Sequence, residues 1–138
     1  MIAAMSMPTQ TKLLLSGAGL SLLLATIAGA VGSHALAFQD AQALRSFETA
    51  VQFQFFHGLG VIAVTLVGTA GPGGRLRAVA AWLMLAGTLL FCGSIYARAL
   101  GALPGIVAVA PYGGVAFMVG WLALVVSAWF RDPAAEAR

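Results

Sequence analysis

LLLSGAGLSLLLATIAGAVGSHALA, residues 13–37, runs for 25 positions without an acid, a Lys or an Arg. A helix needs about 20 apolar residues to cross the hydrocarbon core of a bilayer, so this stretch is long enough to span one. Lys12 ahead of it and Ala35-Leu36-Ala37 behind it resemble the flanks of a secretory signal. The apolar region of such a signal is only about 7–15 residues, however, and the longer run reads as a first membrane helix. Gly17, Ser21, Ala25, Gly29 and Ser33 recur along it every four positions. That spacing places small side chains on one side of the helix, where a neighbouring backbone can approach closely, and the stripe is expected to be a packing seam.

The rest of the chain has the same character. Hydrophobic residues make up 61% of the 138 positions and charged residues only 8%, with 17 Gly in addition. Ordinary soluble domains are about 45–50% apolar with glycine included, so a water-soluble globule, a disordered tail and a coiled coil are all excluded. Further spans are expected at 47–70, 77–99 and 111–130, followed by a polar tail at 131–138. The fold class is an all-α, integral membrane four-helix bundle with short loops, forming a single domain over 1–138. No room is left for a soluble catalytic domain.

The connections carry local signals. Gln39, Asp40, Gln42 and Arg45 mark the first. Gly71-Pro72-Gly73-Gly74 marks the second; it superficially resembles a phosphate loop but lacks the Gly-Lys-Ser/Thr ending and follows a membrane helix, so it reads as a tight turn. Pro111 lacks an amide hydrogen and fits the first turn of the fourth helix, which makes 105–110 an apolar connection at the membrane edge. Gly113, Gly114 and Gly120 leave the start of that helix smooth enough for close packing.

Seven Lys plus Arg against four Asp plus Glu give a net charge of +3. The basic residues sit singly at the ends of apolar runs, which is an orientation signal; no nucleic-acid partner is expected. With four spans, Lys12, Arg75, Arg77, Arg131 and Arg138 fall on the side of the termini and Arg45 and Arg98 on the other. Both termini are therefore expected in the cytoplasm of a cell whose inner membrane holds the protein. The lone Cys92 has no partner for a disulfide or a Cys-x-x-Cys metal site and reads as a small packing residue.

Polar groups in hydrocarbon cost a few kcal/mol unless paired, so they are the candidates for function. His34, Glu48, Gln52, Gln54, His57, Ser94, Tyr96 and Arg98 all fall toward the outer ends of the first three helices. Of these, His34, Glu48, Gln52, His57, Ser94, Tyr96 and Arg98 form the candidate ligand or partner site. Arg45, Glu48 and Gln52 share one helix face, while His57 lies half a turn from Glu48 on an interior stripe with Phe53, Gly60 and Val64. Glu48 is then expected to pair with Arg98. With the outer boundary crossing near Phe53, where the fully apolar part of the second helix begins, His57 is expected about one turn inside it, as an uncharged hydrogen-bonding group shaping a small pocket with His34. Two histidines also admit a haem or metal reading, but no further ligand is indicated, and neither a cofactor nor a metal is expected. Ser94 has no nucleophile elbow around it and no Asp lies within a span to orient a histidine, so no catalytic residue is expected.

Four stretches carry a family pattern: GAVGSHAL (29–36), RSFETAVQFQFFHGLG (45–60), AGTLLFCGSIYARAL (86–100) and PYGGVAFMVGWLAL (111–124). Together they resemble the bacterial inner-membrane family known as domain of unknown function 423, related to the small four-span transmembrane protein 256-like proteins of eukaryotes. The resemblance runs from about residue 13 to 130 and implies a four-helix membrane fold; it brings no catalytic residues. His34, Glu48, His57, Gly93, Ser94, Tyr96, Pro111, Gly113, Gly114, Gly120 and Trp121 match the pattern, and Cys92 stands where the family is expected to have serine. Two functions remain open. One is a non-enzymatic component that self-associates or packs on a larger membrane complex and binds a partner, lipid or small ligand at its outer polar cluster. The other is an oligomeric channel or transporter for a proton, ion or small solute.

Overall fold

The computed structural model describes residues 7–38 and 40–130. Four helices follow one another: α1 (Thr9–His34), α2 (Ala41–Val67), α3 (Gly74–Ala99) and α4 (Ala110–Ser127), the last continuing a 3₁₀ segment at Pro104–Val109. No strand is present among the described residues. At 1.5 Å per residue the first three helices are about 40 Å long, ample for a hydrocarbon core of about 30 Å, and α4 reaches that span with its 3₁₀ lead-in. All four are long and apolar enough to cross a membrane. The tail at 131–138 lies outside the described residues.

The helix ends differ from the sequence expectation for identifiable reasons. α2 begins at Ala41 instead of near residue 47, because the extended Asp40 caps it: its Oδ1 accepts from the amides of Gln42 and Ala43, each at 2.8 Å. Hydropathy alone hides this start, since Gln42, Arg45 and Glu48 ride on its exposed turns. The stretch expected as a connection at 105–110 is helical, wound as the 3₁₀ segment into α4 with Pro111 in the first turn. Between α2 and α3 the tight turn is present. Gly73 adopts φ +70°, and a Cβ there would lie 2.5 Å from Ser127 O, so both its left-handed backbone and its contact with the end of α4 require glycine. Arg77 fastens the turn, donating to the carbonyls of Gly68 and Ala70.

The helices run up and down in turn. Gly113 faces Gly87, and Gly120 faces Ala80, a constant sum of residue numbers that defines an antiparallel pair. A Cβ on Gly113 would come 2.5 Å from Phe91 N and 2.8 Å from Gly87 O, so α3 and α4 touch backbone to backbone at this point. Gly114 faces open space instead and takes no part in the contact. α3 also packs on α2 and, less extensively, on α1, while α1 packs mainly on α2.

The seam on α1 is followed in part. Ser21 and Ala25 are buried, Gly17 meets Leu85 of α3, and Gly29 meets Val51 of α2. Ser33 is exposed, and Gly32 replaces it against Phe47. Four residues turn an α-helix by about 400°, so a strict four-residue stripe drifts about 40° per step and leaves a straight interface by its fifth member. Leu14, Ala18, Val61, Val64, Ala81 and Met84 form an apolar core in the half of the bundle nearer the N-terminus. Gln54 and Ser94 are buried nearer the middle and the opposite end, while Thr65 and Ser127 are buried in the same half as this core.

Candidate functional site

A chain of side-chain hydrogen bonds crosses three helices. Tyr96 Oη on α3 donates to Gln54 Oε1 on α2 at 2.7 Å, and Gln54 Nε2 donates to the carbonyl of Ser21 on α1 at 2.9 Å. Gln54 is buried and occupies the midpoint of α2. Cα–Cβ bonds lean toward a helix's own N-terminus. Because α2 and α3 are antiparallel, Tyr96 leans inward and Gln54 outward, which lets residues from different levels meet. Phe47 packs against the Tyr96 ring, tilted by 52° at a centroid distance of 5.0 Å, and helps to hold it. Beside this chain Cys92 Sγ donates to Ala50 O at 3.2 Å, and Ser94 Oγ to Phe91 O at 3.0 Å. These polar groups are satisfied within the bundle. Ser21 Oγ is the one sealed side-chain polar atom among the described residues that lacks a partner.

Gln54 is the residue that the sequence reading undervalued in favour of Gln52. The two lie on opposite faces, and Gln52 is exposed. A signal was available: Phe47, Ala50, Gln54, His57, Val61 and Val64 follow a three-four spacing, and all six are buried.

Three expectations about the charged and histidine residues are revised. Arg98 lines a cavity of about 320 Å³ with Asp40, Gln42, Ala43 and Ser46, where the end of α3 and the 3₁₀ segment meet the start of α2. Ser46 and Glu48 point about 200° apart on α2, so Glu48 faces outward with Arg45 and Gln52 and away from Arg98. His57 does not share a pocket with His34. Gly58 lies against Leu22 and Ser21, which sets His57 level with that part of α1 and leaves His34 about 18 Å further along the helix. His34 is exposed at the end of α1. Nor is His57 one turn inside the outer boundary: α2 runs from Ala41 to Val67, which places it near mid-helix. Its Nδ1 donates to Phe53 O at 2.7 Å, and its ring stacks on Phe117 at 3.5 Å.

Among the described residues, no three of His, Cys, Asp and Glu gather where they could hold a metal. The arrangement offers binding chemistry at the end cavity: a guanidinium, a capping carboxylate, an amide and a hydroxyl, with apolar Phe38, Ile95 and Val107 beside them. Such a mixture suits an amphiphile or the polar end of a partner helix.

The sequence has recognisable relatives. A family model described as "Protein of unknown function (DUF423)" matches residues 28–114. The chain is 36% identical over 107 residues to the UPF0382 membrane protein YwdK of Bacillus subtilis, covering 77% of this chain and 87% of that one. It is 37% identical over 108 residues to a UPF0382 membrane protein of Staphylococcus saprophyticus, covering 78% and 88%. A UPF0382 membrane protein of Haemophilus influenzae is 37% identical over 97 residues, covering 70% and 77%. No solved structure matches the chain. With the matched segment running from the end of α1 into α4, and relatives aligned over most of their length, the chain belongs to the DUF423 family of UPF0382 membrane proteins.

Proposed function

We propose that the protein is a non-enzymatic component of the inner membrane that self-associates or packs on a larger membrane complex and binds through the cavity at the Asp40 and Arg98 end. The observation that carries this reading is the division of the polar groups. Gln54, Tyr96, Cys92 and Ser94 make their hydrogen bonds inside the bundle, whereas Arg98, Gln42, Ser46 and the capping Asp40 line the end cavity. Glu48 and His34 lie exposed toward the same end, where a partner or lipid headgroup would meet them, whereas Gln52 is exposed near the middle of α2. The basic asymmetry orients that end outward and both termini toward the cytoplasm.

The channel reading has less support. The half of the bundle toward the N-terminus is closed by Leu14, Ala18, Val61, Val64, Ala81 and Met84, which offer an ion no polar path through a single bundle. A pore would have to form between copies.

Gentle extraction followed by native mass spectrometry tests the proposal. A second copy, a partner or a lipid is expected at fixed stoichiometry, and Arg98→Ala should weaken its retention. A bare monomer in every mild detergent, or proton flux in reconstituted vesicles, would contradict it. Active C-terminal alkaline phosphatase fusions would overturn the orientation.

A further inference from the structure

A second opening lies far from the end cavity. α2 and α4 flank α3 and are bridged by side chains, leaving an open apolar groove of about 760 Å³ lined by Phe53, Phe56, His57, Gly114, Phe117 and Trp121. The midpoint of α2 is Gln54, so His57 sits about 5 Å from the middle of the helix, and Phe117 is close to the middle of the fourth span. The groove therefore faces lipid near the centre of the bilayer.

His57 gives the groove a chemical direction. The residue is only 6% exposed, and its ring lies nearly parallel to Phe117, at 16°. Nδ1 is 2.7 Å from Phe53 O. A carbonyl can only accept, so Nδ1 carries the ring proton and Nε2 presents a bare lone pair. Among the described residues Nε2 has no donor, and it is not sealed inside the protein, where Ser21 Oγ alone is orphaned. It opens on the groove that its own ring lines. A polar atom held in hydrocarbon without a partner is costly, and at this depth neither water nor a phospholipid headgroup is available to supply one.

The walls select the shape of what supplies it. Phe53, Phe56, Phe117 and Trp121 offer aromatic faces and edges, and Gly114 leaves space where any side chain would intrude. An acyl chain would fill the groove but has no donor. The geometry points to a binding site for a neutral, membrane-dissolved ring bearing a hydroxyl, the chemistry of a hydroquinone lipid, with its O–H donating to His57 Nε2 and its ring against the aromatic walls. The corresponding quinone offers only carbonyl acceptors to an atom that is itself an acceptor, so the site discriminates between the two forms. No electron transfer is involved. This site is independent of the end cavity.

The test uses ¹⁵N-histidine-labelled protein in lipid nanodiscs under anaerobic conditions. The chain has 2 histidines, so His34 serves as an internal reference. Tetramethylhydroquinone is expected to move the His57 Nε2 resonance saturably in the direction of an accepted hydrogen bond and to leave His34 unchanged. Tetramethylbenzoquinone should bind about tenfold more weakly, for want of one hydrogen bond, and should leave Nε2 unmoved. Gly114→Leu fills the groove from a position whose Cβ meets nothing within 4 Å, and should abolish the response while preserving the His34 signal. Equal responses to quinone and hydroquinone, no response to either, or an undiminished response in Gly114→Leu would overturn the assignment. A ligand-free Nε2 signal that shifts with the protein-to-lipid ratio would also overturn it, by giving the groove to a second copy of the chain.

Discussion

Tyr96 and Gln54 join α3 to α2 through a 2.7 Å hydrogen bond even though they sit at different levels of the bundle. Gln54 passes the connection to α1 through the Ser21 carbonyl. Lipid tails are as apolar as Leu, so burial of apolar area gives helices in a bilayer little reason to associate. Close packing and interhelical hydrogen bonds take over that role. The Tyr96–Gln54–Ser21 chain supplies the bonds, and Gly87, Gly113 and Gly120 supply the close packing.

Gly113 and Gly114 are adjacent, yet substitution should affect them oppositely. Gly113→Ala drives a Cβ into Phe91 N and Gly87 O, backbone atoms that cannot swing aside. A loss of about 1–3 kcal/mol is expected, the usual range for overpacking. Gly114→Ala meets nothing and should be neutral or stabilising by up to about 1 kcal/mol, because alanine is the better helix former. Thermal unfolding in detergent separates the two.

On α1, Ala25→Leu should lower the melting temperature, since Ala25 is fully buried. Ser33→Leu should not, because that side chain is exposed and satisfies its hydroxyl on Gly29 O. Equal effects would mean that the seam runs straight along the four-residue stripe.

Glu48 and Arg98 should behave independently. In a cycle of Glu48→Gln and Arg98→Gln, the stability changes are expected to add within about 0.5 kcal/mol, because the two side chains leave α2 and α3 toward different surroundings. A coupling well beyond that would restore the ion pair suggested by sequence.

Cys92 is buried and donates to Ala50 O. Cys92→Ser keeps a donor of similar size and should be nearly neutral, whereas Cys92→Leu should cost about 1–3 kcal/mol by overpacking. A membrane-permeable maleimide should label the thiol only after unfolding.

The spans were legible in the sequence because hydrocarbon thickness sets a length that composition must meet, and 13–37 meets it plainly. The Gly-rich turn and the smooth face at Gly113 and Gly120 were legible for the same local reason. The start of α2 was not, because a cap outweighed hydropathy: Asp40 fixes the first turn while Arg45 and Glu48 remain at the surface. Taking the membrane boundary near Phe53, where the fully apolar run begins, put His57 at the edge; with α2 running from Ala41 to Val67 it lies near the middle, apart from His34 at the end of α1. Glu48 was matched to Arg98 by proximity to the membrane edge alone, and helix rotation placed them apart. Gln54 was hidden by its neighbour Gln52, since polarity marks both and only the three-four spacing distinguishes the buried one.

The account rests on the interior polar groups being structural, and a double-mutant cycle between Tyr96 and Gln54 tests that claim most directly. Unfolding free energies of Tyr96→Phe, Gln54→Leu and the double variant would be measured in the same detergent. Interhelical hydrogen bonds in membrane proteins couple by about 0.6 kcal/mol on average and up to about 1.7 kcal/mol. A coupling of about 1 kcal/mol is predicted here, with Tyr96→Phe costing little once Gln54 is gone. Purely additive losses, or single variants as stable as the parent, would contradict the account.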